Sequence, residues 1–259
     1  MGKVYLVGAG PGAPDLLTLR AARILEQADV VFHDALVHPE VLAIASRARI
    51  VPVGKRCSRI STDQRFINRA LVEAAARYDV VVRLKGGDPM VFGRAQEELD
   101  ALGAHGIECE VVPGVTAALA AAAELKISLT RRGVSRSVVL ATPRIGTDEP
   151  SGRWADGVAA ADTAVLYMGV GEAELLSNAL RQAGLPERTP VAIVQNASSP
   201  ACTTLHTTLQ ELPQRAAELA PGGPTLLVLG EVLRQASRAE QGEDLGRSAH
   251  PAVTRAKRA

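Results

Sequence analysis

Glycine pairs, acids and clustered bases stand at the points where this chain's apolar runs stop. Gly86-Gly87-Asp88-Pro89 ends the β-branched run that opens with Val80-Val81-Val82. Glycine tolerates backbone angles closed to other residues, so this stop is a tight turn that offers N–H groups and one carboxylate to a ligand. Asp34 follows Val30-Val31-Phe32-His33 in the same way. A carboxylate there serves either as a helix cap or as a proton acceptor inside a cleft. Gly54-Lys55-Arg56 follows Ile50 to Val53, and two cations at a strand end suit anion binding or proton donation. Gly8-Ala9-Gly10-Pro11-Gly12 and Pro113-Gly114-Val115-Thr116 punctuate two further runs. His33 beside Asp34 makes a poor dyad, because neighbours on a strand point to opposite faces. Such stops, repeated through one half of the chain, predict a crevice at the carboxyl edge of a sheet, where open α/β sheets bind ligands.

The same residues narrow the chemistry. Arg56, Arg59, Arg94, Arg131, Arg132 and Arg136 gather on the predicted loops of a chain whose formal net charge is only +1. Local arginines without bulk charge point to a small substrate carrying several carboxylates or phosphates, not to a polyanion. Aromatics make up 3% of residues, too few for base-stacking platforms, so no nucleic-acid partner is expected. The loop Gly8 to Gly12 carries Pro11 and lacks the third glycine of a dinucleotide fingerprint at its usual offset. Neither a Gly-x4-Gly-Lys-Ser/Thr phosphate loop nor a G-x-S-x-G nucleophile elbow is present. Cys57, Cys109 and Cys202 have no metal-binding or disulfide spacing, which suits a reducing cytoplasm and predicts no metal. No run approaches the roughly 20 apolar residues that span a bilayer, and no signal peptide precedes the first strand, so no membrane partner is expected.

These residues need elements to hold them. Of 259 residues, 47% are hydrophobic and 22% charged, the balance of a globular enzyme. Strands are predicted at Val4 to Gly8, Val30 to Phe32, Ile50 to Val53, from Val80, and at Cys109 to Val112. Helices are predicted at Thr18 to Gln27, Asp63 to Arg77, Ala95 to Leu102 and Ala117 to Ala123. The alternation implies a largely parallel sheet covered on both faces. The polar stretch Thr130 to Arg136 is the expected domain boundary. Beyond it a second αβ set is expected, with strands at Val138 to Ala141, Ala164 to Met168, Val191 to Val194 and Thr225 to Leu229, and a helix at Pro213 to Ala220. The expected domains are 1–132 and 133–235, followed by a polar tail, 236–259, expected to be disordered.

With these pieces assembled the chain resembles the tetrapyrrole methylase family. The matching segments include VYLVGAGPGAPDLLTLRA (Val4 to Ala21), DALV (Asp34 to Val37), VGKR (Val53 to Arg56), RLKGGDPMVFGR (Arg83 to Arg94) and VVPGVTAALA (Val111 to Ala120). They continue through SLTRRG (Ser128 to Gly133), LYMGV (Leu166 to Val170), PVAIVQNAS (Pro190 to Ser198) and GPTLLVLGEV (Gly223 to Val232). The resemblance implies two α/β domains of the tetrapyrrole methylase type with the active site in the cleft between them, and S-adenosylmethionine (SAM) as methyl donor. Carried over by position, it implies cofactor contacts at Pro11, Gly86, Gly87, Asp88, Val91, Thr116, Ala117, Met168, Ala197 and Thr225. It also implies Asp34 as proton acceptor, Lys55 as proton donor, and contacts to substrate carboxylates at Arg94, Glu97 and Arg132.

The implied reaction is C-methylation of uroporphyrinogen III at two pyrrole carbons, C2 and C7, to precorrin-2, which feeds sirohaem, cobalamin and haem d1. A homodimer without the extra domain of fused relatives is implied as well. A later corrin intermediate as acceptor, or a SAM- or tetrapyrrole-binding chaperone without turnover, is the alternative. His33, Met90, Ala95-Gln96 and Thr142-Pro143-Arg144 depart from the family pattern, where tyrosine, phenylalanine, two glycines and Thr-Gly-His are common. They bear on the substrate side more than on the cofactor side.

Overall fold

The computed structural model describes residues 1–54, 64–144 and 152–234. Lys55, Arg56, Arg59 and the expected disordered tail lie outside the described residues. The first sheet contains β1 (Lys3–Gly8), β2 (Val30–His33), β3 (Arg49–Pro52), β4 (Val80–Lys85) and β5 (Cys109–Val112), in the order β3-β2-β4-β1-β5 with every pair parallel. Helices α1 (Leu19–Gln27), α2 (Pro39–Ile44), α3 (Gln64–Ala75) and α4 (Ala95–Ala104) connect these strands, and α5 (Ala117–Glu124) follows β5.

Side chains that alternate along the strands divide the core between two faces. Val7, Val31, Val82 and Leu84 pack with Leu25 of α1 and Val41 of α2. Val4, Val30 and Val81 pack on the opposite face with Leu71 of α3 and Leu102 of α4. The connection from β1 and the connection from β4 therefore leave in opposite directions and cover opposite faces. That makes the carboxyl ends of β1 and β4 a topological switch point, where an open α/β sheet leaves a crevice. The two glycine-rich stops, Gly8 to Gly12 and Gly86 to Asp88, emerge there.

The second sheet does not repeat the parallel arrangement of the first. It contains β6 (Val138–Ala141), β7 (Thr163–Tyr167), β8 (Pro190–Gln195), β9 (Thr203–Thr208) and β10 (Thr225–Gly230), in the order β6-β7-β10-β8-β9. Only β6 and β7 run parallel, while β10 is antiparallel to β7 and β8, and β9 to β8. Strand β9, TTLHTT, escapes an apolar-run search because it is a polar, half-exposed edge strand. Helices α6 (Trp154–Ala159), α7 (Ala173–Gln182) and α8 (Leu212–Ala216) cover one face through Val158, Leu176, Leu180 and Leu212. The other face is covered by α5, whose Ala118 and Ala121 pack against Val165, Val194 and Val228. A helix from the first half of the chain thus rests on the second sheet, and its alanines allow the close approach.

Candidate active site

The glycine loops converge through backbone contacts. Gly87 N–H donates to the Gly10 carbonyl at 2.7 Å, and Gly10 N–H donates back to the Gly87 carbonyl at 3.2 Å. Gly114 presses onto the same junction: a Cβ at Gly8 would stand 2.6 Å from the Gly114 Cα. Asp88 spends its carboxylate on this architecture, accepting from Met90 N–H at 2.8 Å and from Gly114 N–H at 3.0 Å. Gly87 has a φ of +66°, and a Cβ there would come no nearer than 3.9 Å to Thr116 and Ala117. The junction is therefore a cradle bounded by backbone, in which a Cβ at Gly87 would make only ordinary contacts.

Residues from the second sheet complete it. The Tyr167 hydroxyl lies 2.6 Å from Thr116 Oγ1 and accepts from Ala118 N–H at 3.1 Å. Burial raises the pKa of Tyr167, so its phenol stays neutral there. The Phe92 and Tyr167 rings meet at 4.9 Å between centroids, tilted by 53°. Ser198 Oγ accepts from Ala13 N–H at 3.1 Å, next to buried Ala197, and Thr225 pairs in register with Gln195. Pro11, Gly86, Gly87, Asp88, Thr116, Ala117, Met168 and Ala197 thus stand on loops tied to one junction, with Val91 in the turn after Asp88 and Thr225 at the start of β10. Of the six non-glycine residues with left-handed φ among the described residues, five lie on these loops: Phe92, Arg94, Met168, Asn196 and Ser198. Strained backbone of this kind gathers at binding sites. Leu36, Met90, Phe92 and Met168 are exposed apolar side chains.

Asp34 leaves the end of β2 beside β4, with its N–H donating to the Leu84 carbonyl at 3.2 Å. The His33 ring contacts the Asp34 backbone carbonyl and not its carboxylate, in keeping with the argument against a dyad. The carboxylate is instead paired with Arg83, whose Nη2 donates to Asp34 Oδ1 at 2.5 Å. Behind it Arg83 Nε donates to Glu98 at 3.0 Å, and Lys85 Nζ donates to both oxygens of Glu98, also at 3.0 Å. Gln64 Nε2 adds a further bond to Glu98 at 3.1 Å. Burial, then the neighbouring Arg83 charge, lowers the pKa of Lys85.

Sequence reasoning missed Arg83, Lys85 and Glu98 as site residues. The available signal was Arg83-Leu84-Lys85, two cations on one face of a strand that is otherwise apolar. Of the expected substrate contacts, Arg94 and Glu97 grip each other through two hydrogen bonds of 2.7 and 2.8 Å, a pairing that lowers the pKa of Glu97. Arg132 is exposed in the turn closed by hydrogen bonds between Arg131 and Ser135. Among the described residues, no group of three or more His, Cys, Asp and Glu is arranged to hold a metal ion, and no helix is long and apolar enough to cross a membrane.

Comparison with known proteins agrees with this geometry. The family model for Tetrapyrrole (Corrin/Porphyrin) Methylases matches residues 3–213. A uroporphyrinogen-III C-methyltransferase of Pseudomonas aeruginosa is 46% identical over 233 residues, covering 90% of this chain and 95% of that protein. A siroheme synthase of Azotobacter vinelandii is also 46% identical over 90% of this chain, but the match takes in 51% of that protein, so the chain spans about half its length. A crystal structure of uroporphyrin-III C-methyl transferase from Thermus thermophilus, complexed with S-adenyl homocysteine, superposes with a TM-score of 0.79. It is 41% identical, and the alignment covers 90% of this chain and all of that one. The glycine cradle, the paired sheets and the match over most of the sequence lead to one conclusion: the chain belongs to the tetrapyrrole methylase family.

Proposed function

We propose that this chain is a SAM-dependent methyltransferase that methylates uroporphyrinogen III at C2 and C7 to give precorrin-2. The observation that carries the reading is the glycine cradle at the β1–β4 switch point with the Asp34 carboxylate beside it. The 46% identity to a uroporphyrinogen-III C-methyltransferase, over 95% of that protein, supports the choice of substrate. Fit to the cofactor is supported by the backbone-bounded cradle at Gly87 and by the apolar side chains of Met168 and Ala197.

A sulfonium methyl is already a strong electrophile and a reduced pyrrole an electron-rich carbon nucleophile, so the protein's task is positioning and removal of a proton. Backbone at Gly86, Gly87, Thr116 and Ala117 would orient the donor without side chains in the way. Asp34 would accept the proton released from the pyrrole, and Lys55 would serve as donor. Arg94, Glu97 and Arg132 would meet the substrate's carboxylates, Arg94 exchanging its Glu97 partner for one of them. A homodimer and a cytoplasmic location belong to the same reading, the latter supported by unpaired cysteine spacing.

Anaerobic incubation of the protein with uroporphyrinogen III and SAM tests this directly. A gain of two methyl groups with release of S-adenosylhomocysteine is expected. Binding of S-adenosylhomocysteine with no methyl on uroporphyrinogen III, but transfer to a later corrin intermediate, would overturn the substrate assignment.

A further inference from the structure

Four charges line up behind the cleft. The side chains of Arg83, Lys85 and Glu98 are 3%, 3% and 0% exposed, and Asp34, at 33%, is the end of the line that reaches solvent. A buried ion network of this kind is a weak source of stability, since apolar residues of similar volume do as well or better. Here the charges balance, two cations against two carboxylates, and each has a partner within 3.0 Å. The geometry is directional. Lys85 and Gln64 occupy Glu98, Glu98 holds Arg83 by Nε, and Arg83 is left to present Nη2 to Asp34. His33, the chain neighbour of Asp34, touches its backbone carbonyl and leaves the carboxylate to Arg83.

We infer that Glu98 is a positioning residue for the methyl transfer: by fixing Arg83 from behind, it aims the Asp34 carboxylate into the cleft. This rests on the reading of Asp34 as proton acceptor. A guanidinium held at one edge offers the other in a set direction, whereas a free one follows its partner.

The test is a double-mutant cycle on the full chain. The pair Lys85→Met with Glu98→Leu removes both partners of the rear ion pair at once, so neither charge is left buried alone. We expect kcat to fall by up to about a hundredfold, the order of loss that follows misplacement of a reacting group. The KM values and S-adenosylhomocysteine affinity should stay within about twofold, because the Glu98 side chain is fully buried behind Arg83 and Lys85. Lys85→Met with Glu98→Gln, which restores an acceptor for Arg83 Nε, should recover part of kcat. Asp34→Asn alone should lose roughly 10²- to 10⁴-fold, and adding either rear pair to it should change kcat no further.

Wild-type kcat in the Met/Leu pair, or an equal loss with and without Asp34→Asn, would overturn the positioning role. Wild-type kcat in Asp34→Asn would instead overturn the acceptor assignment itself. If the Met/Leu pair does not fold, the Met/Gln pair carries the cycle, and additive losses there overturn the inference in the same way.

Discussion

At the scale of single residues, two glycines at the cradle do different jobs. A Cβ on Gly114 would overlap the Gly87 carbonyl and stand 2.9 Å from the Gly8 Cα, so Gly114 is required by space. Gly87 has room for a Cβ but holds φ at +66°, so it is required by backbone angle. Gly114→Ala should therefore destabilise the fold by about 1–3 kcal/mol through overpacking and weaken S-adenosylhomocysteine, because three loops must shift together. Gly87→Ala should cost about 1–2 kcal/mol of left-handed strain with smaller disturbance of its neighbours. Thermal unfolding and ligand titration of both variants check this; equal ligand loss in the two would sink the distinction. The glycines were legible in the sequence because their spacing interrupts apolar runs. Arg83 and Lys85 were harder to read, since a cation in a strand means little until the helix bearing Glu98 is placed opposite.

At the scale of elements, α5 shows how the second sheet sets up the first sheet's loop. Thr116 occupies the N-cap position of α5, yet its side chain caps no N–H of the helix. The Tyr167 hydroxyl at the end of β7 takes over and accepts from Ala118 N–H. Tyr167→Phe should cost about 1 kcal/mol, the usual value of a lost cap, and should weaken the cofactor, since Thr116 and Ala117 form part of its proposed site. The pH dependence has a definite sign. The pKa of Tyr167 is raised above its ordinary 10.0, so its contribution to stability is present in full below that value and is lost as pH rises through the folded one. Tyr167→Phe should lack that alkaline loss, and unfolding measured from neutral to strongly alkaline pH checks it; identical curves would refute burial of the neutral phenol as its cause. The strand positions were legible from β-branched runs in both halves of the chain. Strand direction in the second sheet was not, because β10 reads the same whichever way its neighbours run, and polar β9 gives no apolar signal.

At the scale of the whole molecule, Ser198 makes two polar contacts with the first half of the chain. Its Oγ accepts from Ala13 N–H at 3.1 Å, and its own N–H donates to Glu124 Oε1 at 3.0 Å. It therefore ties the loop after β1 to the loop after β8, with α5 between. Ser198→Ala removes the first contact and keeps the second, a net loss of about 0.5–1.5 kcal/mol for one hydrogen bond. Two readings of that loss can be told apart. If Ser198 only stabilises the fold, stability drops by the same amount with and without ligand, and the thermal shift produced by a fixed concentration of S-adenosylhomocysteine is unchanged. If it sets the Pro11 loop for the cofactor, the variant binds more weakly, by roughly two- to tenfold on the same free-energy scale, and the shift shrinks. Ligand at 100 times its Kd adds about 2.7 kcal/mol to stability, so a tenfold weaker site at the same concentration loses about half of that increment. The smaller shift is expected, because a loop that carries Gly10 and Pro11 reaches the second sheet through Ala13. An unchanged shift would confine Ser198 to holding the sheets together.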